Sequence, residues 1–130
     1  MREYVNSPKA PSTKGFPLSH AVLHNLPLTM EISGQIGLDP KTGKLVEGGI
    51  EEETRQAIKN IESILSETGW DLRNITKARI FVTDMKEYQK VNEIYAKKFA
   101  KDFPARAVIG VKELPLGAHV EIECTAAGEK

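Results

Sequence analysis

An α+β protein is predicted, a two-layer mixed sheet with two helices on one face, from three observations. One stripe of apolar residues recurs at helical spacing through Ile50, Ala57, Ile58, Ile61, Ile64 and Leu65, and a second through Val91, Ile94, Tyr95 and Phe99. Short β-like runs precede, separate and follow these helices. The last of them alternates strictly, with Val120, Ile122 and Cys124 on one side and Glu121 and Glu123 on the other. Strands, helix, strand, helix and two strands fit a chain that crosses twice over one sheet.

Each element has its own local cause. Met1 to Pro17 is rich in proline, serine and lysine, so it reads as an edge-running segment with a short strand at Glu3-Tyr4-Val5. Ala21 to Leu23 and Leu28 to Ile36 read as strands joined by a hairpin connection at Asn25-Leu26-Pro27. Asp39-Pro40-Lys41-Thr42-Gly43 has turn composition. Acidic residues in a first turn and a stop at Gly69 place the first helix over Glu51 to Thr68. A strand over Ile75 to Val82 and a helix over Met85 to Lys101 come next. Pro104 cannot continue that helix, having no N–H to give and a ring that collides with the preceding turn. Strands over Ala107 to Val111 and His119 to Thr125 complete the set, with Pro115-Leu116-Gly117 turning the chain between them.

At 130 residues the chain fits a single domain. Eighteen basic and eighteen acidic side chains cancel, so no long-range field draws it to nucleic acid or anionic lipid. One cysteine, Cys124, rules out an internal disulfide, and the first residues lack an apolar leader; a cytoplasmic location is the expectation. No apolar run reaches the roughly 20 residues of a membrane span.

Arg106 stands just past the helix end, where a planar guanidinium could offer two donors to a carboxylate. It could equally pair with a structural carboxylate. Two helices cover only one sheet face, so the other face carries small, apolar and charged groups together. We therefore expect a ring-like homo-oligomer that covers it, with Arg106 and Glu121 or Glu123 sharing a polar face near a subunit seam.

Four segments in order carry a resemblance: Ser33-Gly34-Gln35-Ile36 with Asp39-Pro40 and Gly43; Thr54-Arg55-Gln56-Ala57 with Asn60; Val91-Asn92-Glu93-Ile94-Tyr95; and Pro104-Ala105-Arg106 with Leu114-Pro115, Gly117 and Val120-Glu121-Ile122-Glu123. Taken together, from about Pro17 to Ala126, they resemble the RidA/YjgF family of reactive-intermediate deaminases. The resemblance implies a chorismate-mutase-like fold, a homotrimer with clefts at its interfaces, and hydrolysis of 2-imino and 2-enamino acids to 2-keto acids and ammonia with neither cofactor nor metal. It assigns Arg106 to the substrate carboxylate and Glu121 to the hydrolytic water. Ser33 and Asn92 are placed at the cleft. Each has a plainer role available: Ser33 satisfying backbone groups, Asn92 bracing a helix, Glu121 pairing with Arg106.

Two positions depart from the family pattern. Leu18 stands where an aromatic residue is common, and Val108 where a cysteine is frequent; Phe16 lies close enough in sequence to replace the missing ring. Leu18 keeps a second function open, a non-catalytic small-acid-binding or regulatory trimer, and some relatives are described as ribonucleases that inhibit translation. With one Trp, three Tyr and four Phe, the chain offers little for stacking bases. His20 and His24, four apart between Pro17 and Pro27, do not converge on a metal outside a helix. His119 is expected at the cleft rim, Cys124 as a buried thiol, and Trp70 as a cover over the first helix end.

Overall fold

A computed structural model describes residues 1–130. The strands are β1 (Arg2–Val5), β2 (Ala21–His24), β3 (Leu28–Gln35), β4 (Ile75–Val82), β5 (Ala105–Gly110) and β6 (Val120–Gly128), and the helices are α1 (Gly49–Ser66) and α2 (Tyr88–Phe99). Short 3-10 turns at Leu72–Asn74, Met85–Glu87 and Pro115–Gly117 punctuate the connections. The expected α+β class and both helices are present. The segment before α2 is a separate 3-10 turn, because the Asp84 carboxylate caps Lys86 N–H and starts a tight turn.

The main sheet has the order β3-β6-β4-β5, with β4 and β5 parallel and the other pairs antiparallel. One expectation fails here. β2 and β3 do not form a hairpin: β2 pairs with β1 in a separate two-stranded sheet, and β3 pairs with β6. The turn at Asn25-Leu26-Pro27 exists as a change of direction, but long-range partners decide the pairing.

The core lies between the sheet and the two helices. Ile50, Ala57, Ile58, Ile61 and Leu65 of α1 and Val91, Ile94 and Tyr95 of α2 pack against Ala78, Ile80, Val82, Val120 and Ile122. α1 ends two residues before its expected limit, in a left-handed turn. Gly69, at φ +78°, lets its own N–H reach Ser66 O and lets Trp70 N–H reach back to Leu65 O. The Trp70 ring then covers Gly128 so closely that a Cβ there would overlap it. The opposite sheet face carries Glu31, Lys77, Arg79, Phe81, Ala107, Ile109, Glu121, Glu123 and Thr125 and no helix, with Arg79 ion-paired to Glu123.

Candidate functional site

The side of the sheet that each residue takes follows from register. Arg106 lies beside Ala78 in the parallel ladder, and Ala78 lies beside Cys124 in the antiparallel one. Paired residues point the same way, so Arg106 turns toward the helices. Glu121 pairs with Phe81, one place out of phase, and points to the open face. The two therefore stand on opposite faces of one sheet. The expectation that they share a polar face is corrected, because strand pairing, rather than polarity, fixes where Arg106 goes.

On the helix side, Arg106 sits in a box built by α2. Tyr88, Asn92 and Tyr95 recur at helical spacing and line up over it. Nη1 donates to Asn92 Oδ1 at 2.7 Å, Nη2 reaches the Tyr88 hydroxyl only at 3.4 Å, and Nε is buried without a partner. The guanidinium carbon lies 5.1 Å from the centre of the Tyr95 ring and 5.9 Å from that of Tyr88, within cation–π range. Burial lowers the Arg106 pKa, partly offset by the two tyrosines. No carboxylate pairs with it. The structural ion pair that the sequence left open is absent, so donor capacity remains at the guanidinium. Asn92, at 4 % exposure, braces the arginine itself rather than only its helix.

Leu18 is half-buried near the same strand. Ser19 N–H donates to Pro104 O at 3.2 Å, which brings the N-terminal loop beside the start of β5. Phe16 and Pro17 face Gln89, Asn92, Glu93, Ala96 and Phe103 across a groove of about 310 Å³. Phe16 thus shares a groove with Asn92.

On the open face, Ser33 and Gly34 sit where β3 bulges: Ile32 pairs with Cys124 and Gln35 with Ile122, so two residues of β3 face one of β6. Gly34 packs directly under Glu121. A Cβ on it would run into the Glu121 carboxylate, so the bulge and that side chain are in direct contact. Ser33 is exposed, and its carbonyl accepts from Gln35 Nε2 at 3.1 Å. Within one chain Glu121 has no ion-pair partner, and it stands on the sheet face opposite Arg106.

One pair escaped the sequence reading. Glu53, 1 % exposed just past the first turn of α1, accepts His119 N–H on Oε1 at 2.7 Å and meets His119 Nδ1 with Oε2 at 2.6 Å. Its place in the apolar stripe, three residues after Ile50 and four before Ala57, was the available signal. Cys124 is buried, and burial pushes its thiol up to about 12, which suits a packing residue and not a nucleophile. His20 uses both ring nitrogens on the backbone, Nδ1 accepting from Ser7 N–H and Nε2 meeting Pro11 O.

Comparison with known proteins gives the family and the fold. A family model described as Endoribonuclease L-PSP matches residues 8–128. The human protein named 2-iminobutanoate/2-iminopropanoate deaminase is 44 % identical over 126 residues, covering 97 % of this chain and 90 % of that one. A RutC family protein of Aquifex aeolicus is 51 % identical over 129 residues, covering 97 % and 98 %. The crystal structure of RidA from an Antarctic Psychrobacter superposes with a TM-score of 0.74 at 34 % identity, covering 96 % and 98 %. By sequence and by fold alike, this chain belongs to the RidA/YjgF family.

Proposed function

We propose that this protein is a cofactor-free deaminase that hydrolyses small 2-imino and 2-enamino acids to 2-keto acids and ammonia. The observation that carries the reading is Arg106: a partly desolvated cation, braced by an amide and two rings, with no carboxylate of its own. A 2-imino acid brings the missing carboxylate. Docking it there fixes the neighbouring imine carbon, which is already electrophilic and needs only a placed water and a proton route.

Glu121 is the group proposed to hold that water. Since the sheet separates it from Arg106 within one chain, the reading requires two copies, one presenting Arg106, Asn92 and Leu18 and its neighbour presenting Ser33, Gly34 and Glu121. The proposed assembly is a chorismate-mutase-like homotrimer with a cleft at each seam, in which the mixed open face of the sheet is covered. Native mass measurement at micromolar concentration is expected to give three chains; a monomer would remove the seam.

The deciding experiment generates 2-imino acids in situ with an amino-acid oxidase and follows ammonia and keto-acid release. Acceleration by the wild type that is lost in Arg106→Ala is expected. Keto-acid binding with no acceleration from any parent amino acid would instead identify a regulatory trimer.

A further inference from the structure

At the far end of α2 lies a hollow of about 550 Å³, a size that suits a small organic ligand. Its wall comes from β1 (Arg2, Tyr4), the 3-10 turn before β4 (Leu72, Arg73), the end of α2 (Lys98, Phe99) and the loop Ala100–Asp102. It shares no residue with the site above. We propose that this hollow binds a phosphate monoester carried on a flat, apolar body.

Charge is the first argument. Four cations line the wall against one carboxylate, Asp102, in a chain whose total charge is zero. Arg73 is held by Asp71 through two contacts, and Lys98 lies 3.8 Å from Glu62. Arg2 and Lys101 have no carboxylate partner. The last carbonyls of α2 add partial negative charge, which Lys97 and Lys98 in its final turn oppose. With Arg73 and Lys98 already paired, Arg2 and Lys101 are the two cations left to meet a doubly charged group, with Asp102 the one carboxylate in the wall.

Preorganisation is the second. Arg2 is fixed by carbonyls: Nη1 donates to Arg73 O at 2.9 Å and Nη2 to Ala127 O at 2.7 Å. Its Nε is buried without a partner. A carbonyl orients a guanidinium without neutralising it, so the charge is held ready. Backbone strain is the third argument. Ala100 and Asp102 hold φ of +61° and +53°, where non-glycine residues are uncommon, and they carry the loop that presents Lys101. Tyr4, Phe99 and Leu72 supply apolar surface between the cations, which suits a ring and not a bare ion.

Calorimetric titration of the full chain with phenyl phosphate tests this. Saturable binding with Kd below about 1 mM is expected. Lys101→Glu, at an exposed position, should weaken it at least about tenfold, and Arg2→Gln should do the same where that variant folds. Arg106→Ala should leave it unchanged, and inorganic phosphate should bind about tenfold more weakly. Absence of saturation, insensitivity to Lys101→Glu, loss of binding in Arg106→Ala, or equal affinity for inorganic phosphate would each overturn the proposal.

Discussion

Asn92 Oδ1 accepts from Arg106 Nη1 at 2.7 Å, so the amide sets the angle at which the guanidinium meets anything that enters beside it. A carboxylate at the same place would do more than orient. It would neutralise.

Asn92→Asp is therefore expected to cut kcat/KM more than Asn92→Ala does. The aspartate becomes an internal competitor for Arg106, while alanine only frees the fork. Arg106→Lys should lose about 10- to 100-fold, equivalent to one charge-assisted hydrogen bond of about 1.5–3 kcal/mol. Steady-state kinetics on in-situ imines, with keto-acid inhibition constants, separate the three variants.

Contact between Gly34 and Glu121 yields a second test. Gly34→Ala must displace the carboxylate, so its activity should fall about as far as that of Glu121→Gln, although residue 34 has no chemistry of its own. Circular dichroism should show both variants folded. Full activity in Gly34→Ala would argue that the position of Glu121 is unimportant.

Placement of Arg106 and Glu121 on opposite sheet faces predicts complementation. Arg106→Ala and Glu121→Gln should each be inactive alone. After co-refolding at equal amounts, about a quarter of the seams should regain both groups and that share of activity. No recovery in demonstrably mixed trimers would place both residues in one chain's cleft.

The buried Glu53 should be costly to remove. Glu53→Ala leaves His119 N–H and Nδ1 without their acceptor and should cost about 3 kcal/mol in urea unfolding. His119→Ala should cost less, because its backbone N–H still reaches Oε1.

Alkaline stability should report on Cys124. Burial raises its folded pKa from 9.0 to about 12, so between those values the folded state holds a proton that the unfolded chain releases. Stability must then fall as pH rises through that window. The decline from pH 8.5 to 10.5 should be shallower in Cys124→Ala, measured as the change in urea midpoint.

How much of this was readable in advance varied with the range of the interaction. α1 was legible because its stripe is local, and β6 because its alternation is strict. The supposed hairpin between β2 and β3 was misread because Asn25-Leu26-Pro27 signals a turn whatever the flanking strands later pair with. Arg106 was recognisable as a candidate, but its face depends on register with Ala78, a contact 28 positions away that no local pattern encodes. Glu53 was hidden by its neighbours Glu51 and Glu52, since acids near a helix start ordinarily serve the dipole and face water.

The bulge in β3 makes chain length a constraint of its own. With Ser33 and Gly34 together opposite a single partner residue, deleting either would straighten the strand and slide Gln35 and everything beyond it by one place. The bonds from Asn60 to Ile36 O and Leu38 O and the close approach of Gly37 to Glu53 would be lost together. Insertions and deletions among relatives should thus collect in the Asp39–Gly43 turn, where a Cβ added at Gly43 would meet nothing within 4 Å, and spare the four residues from Ile32 to Gln35.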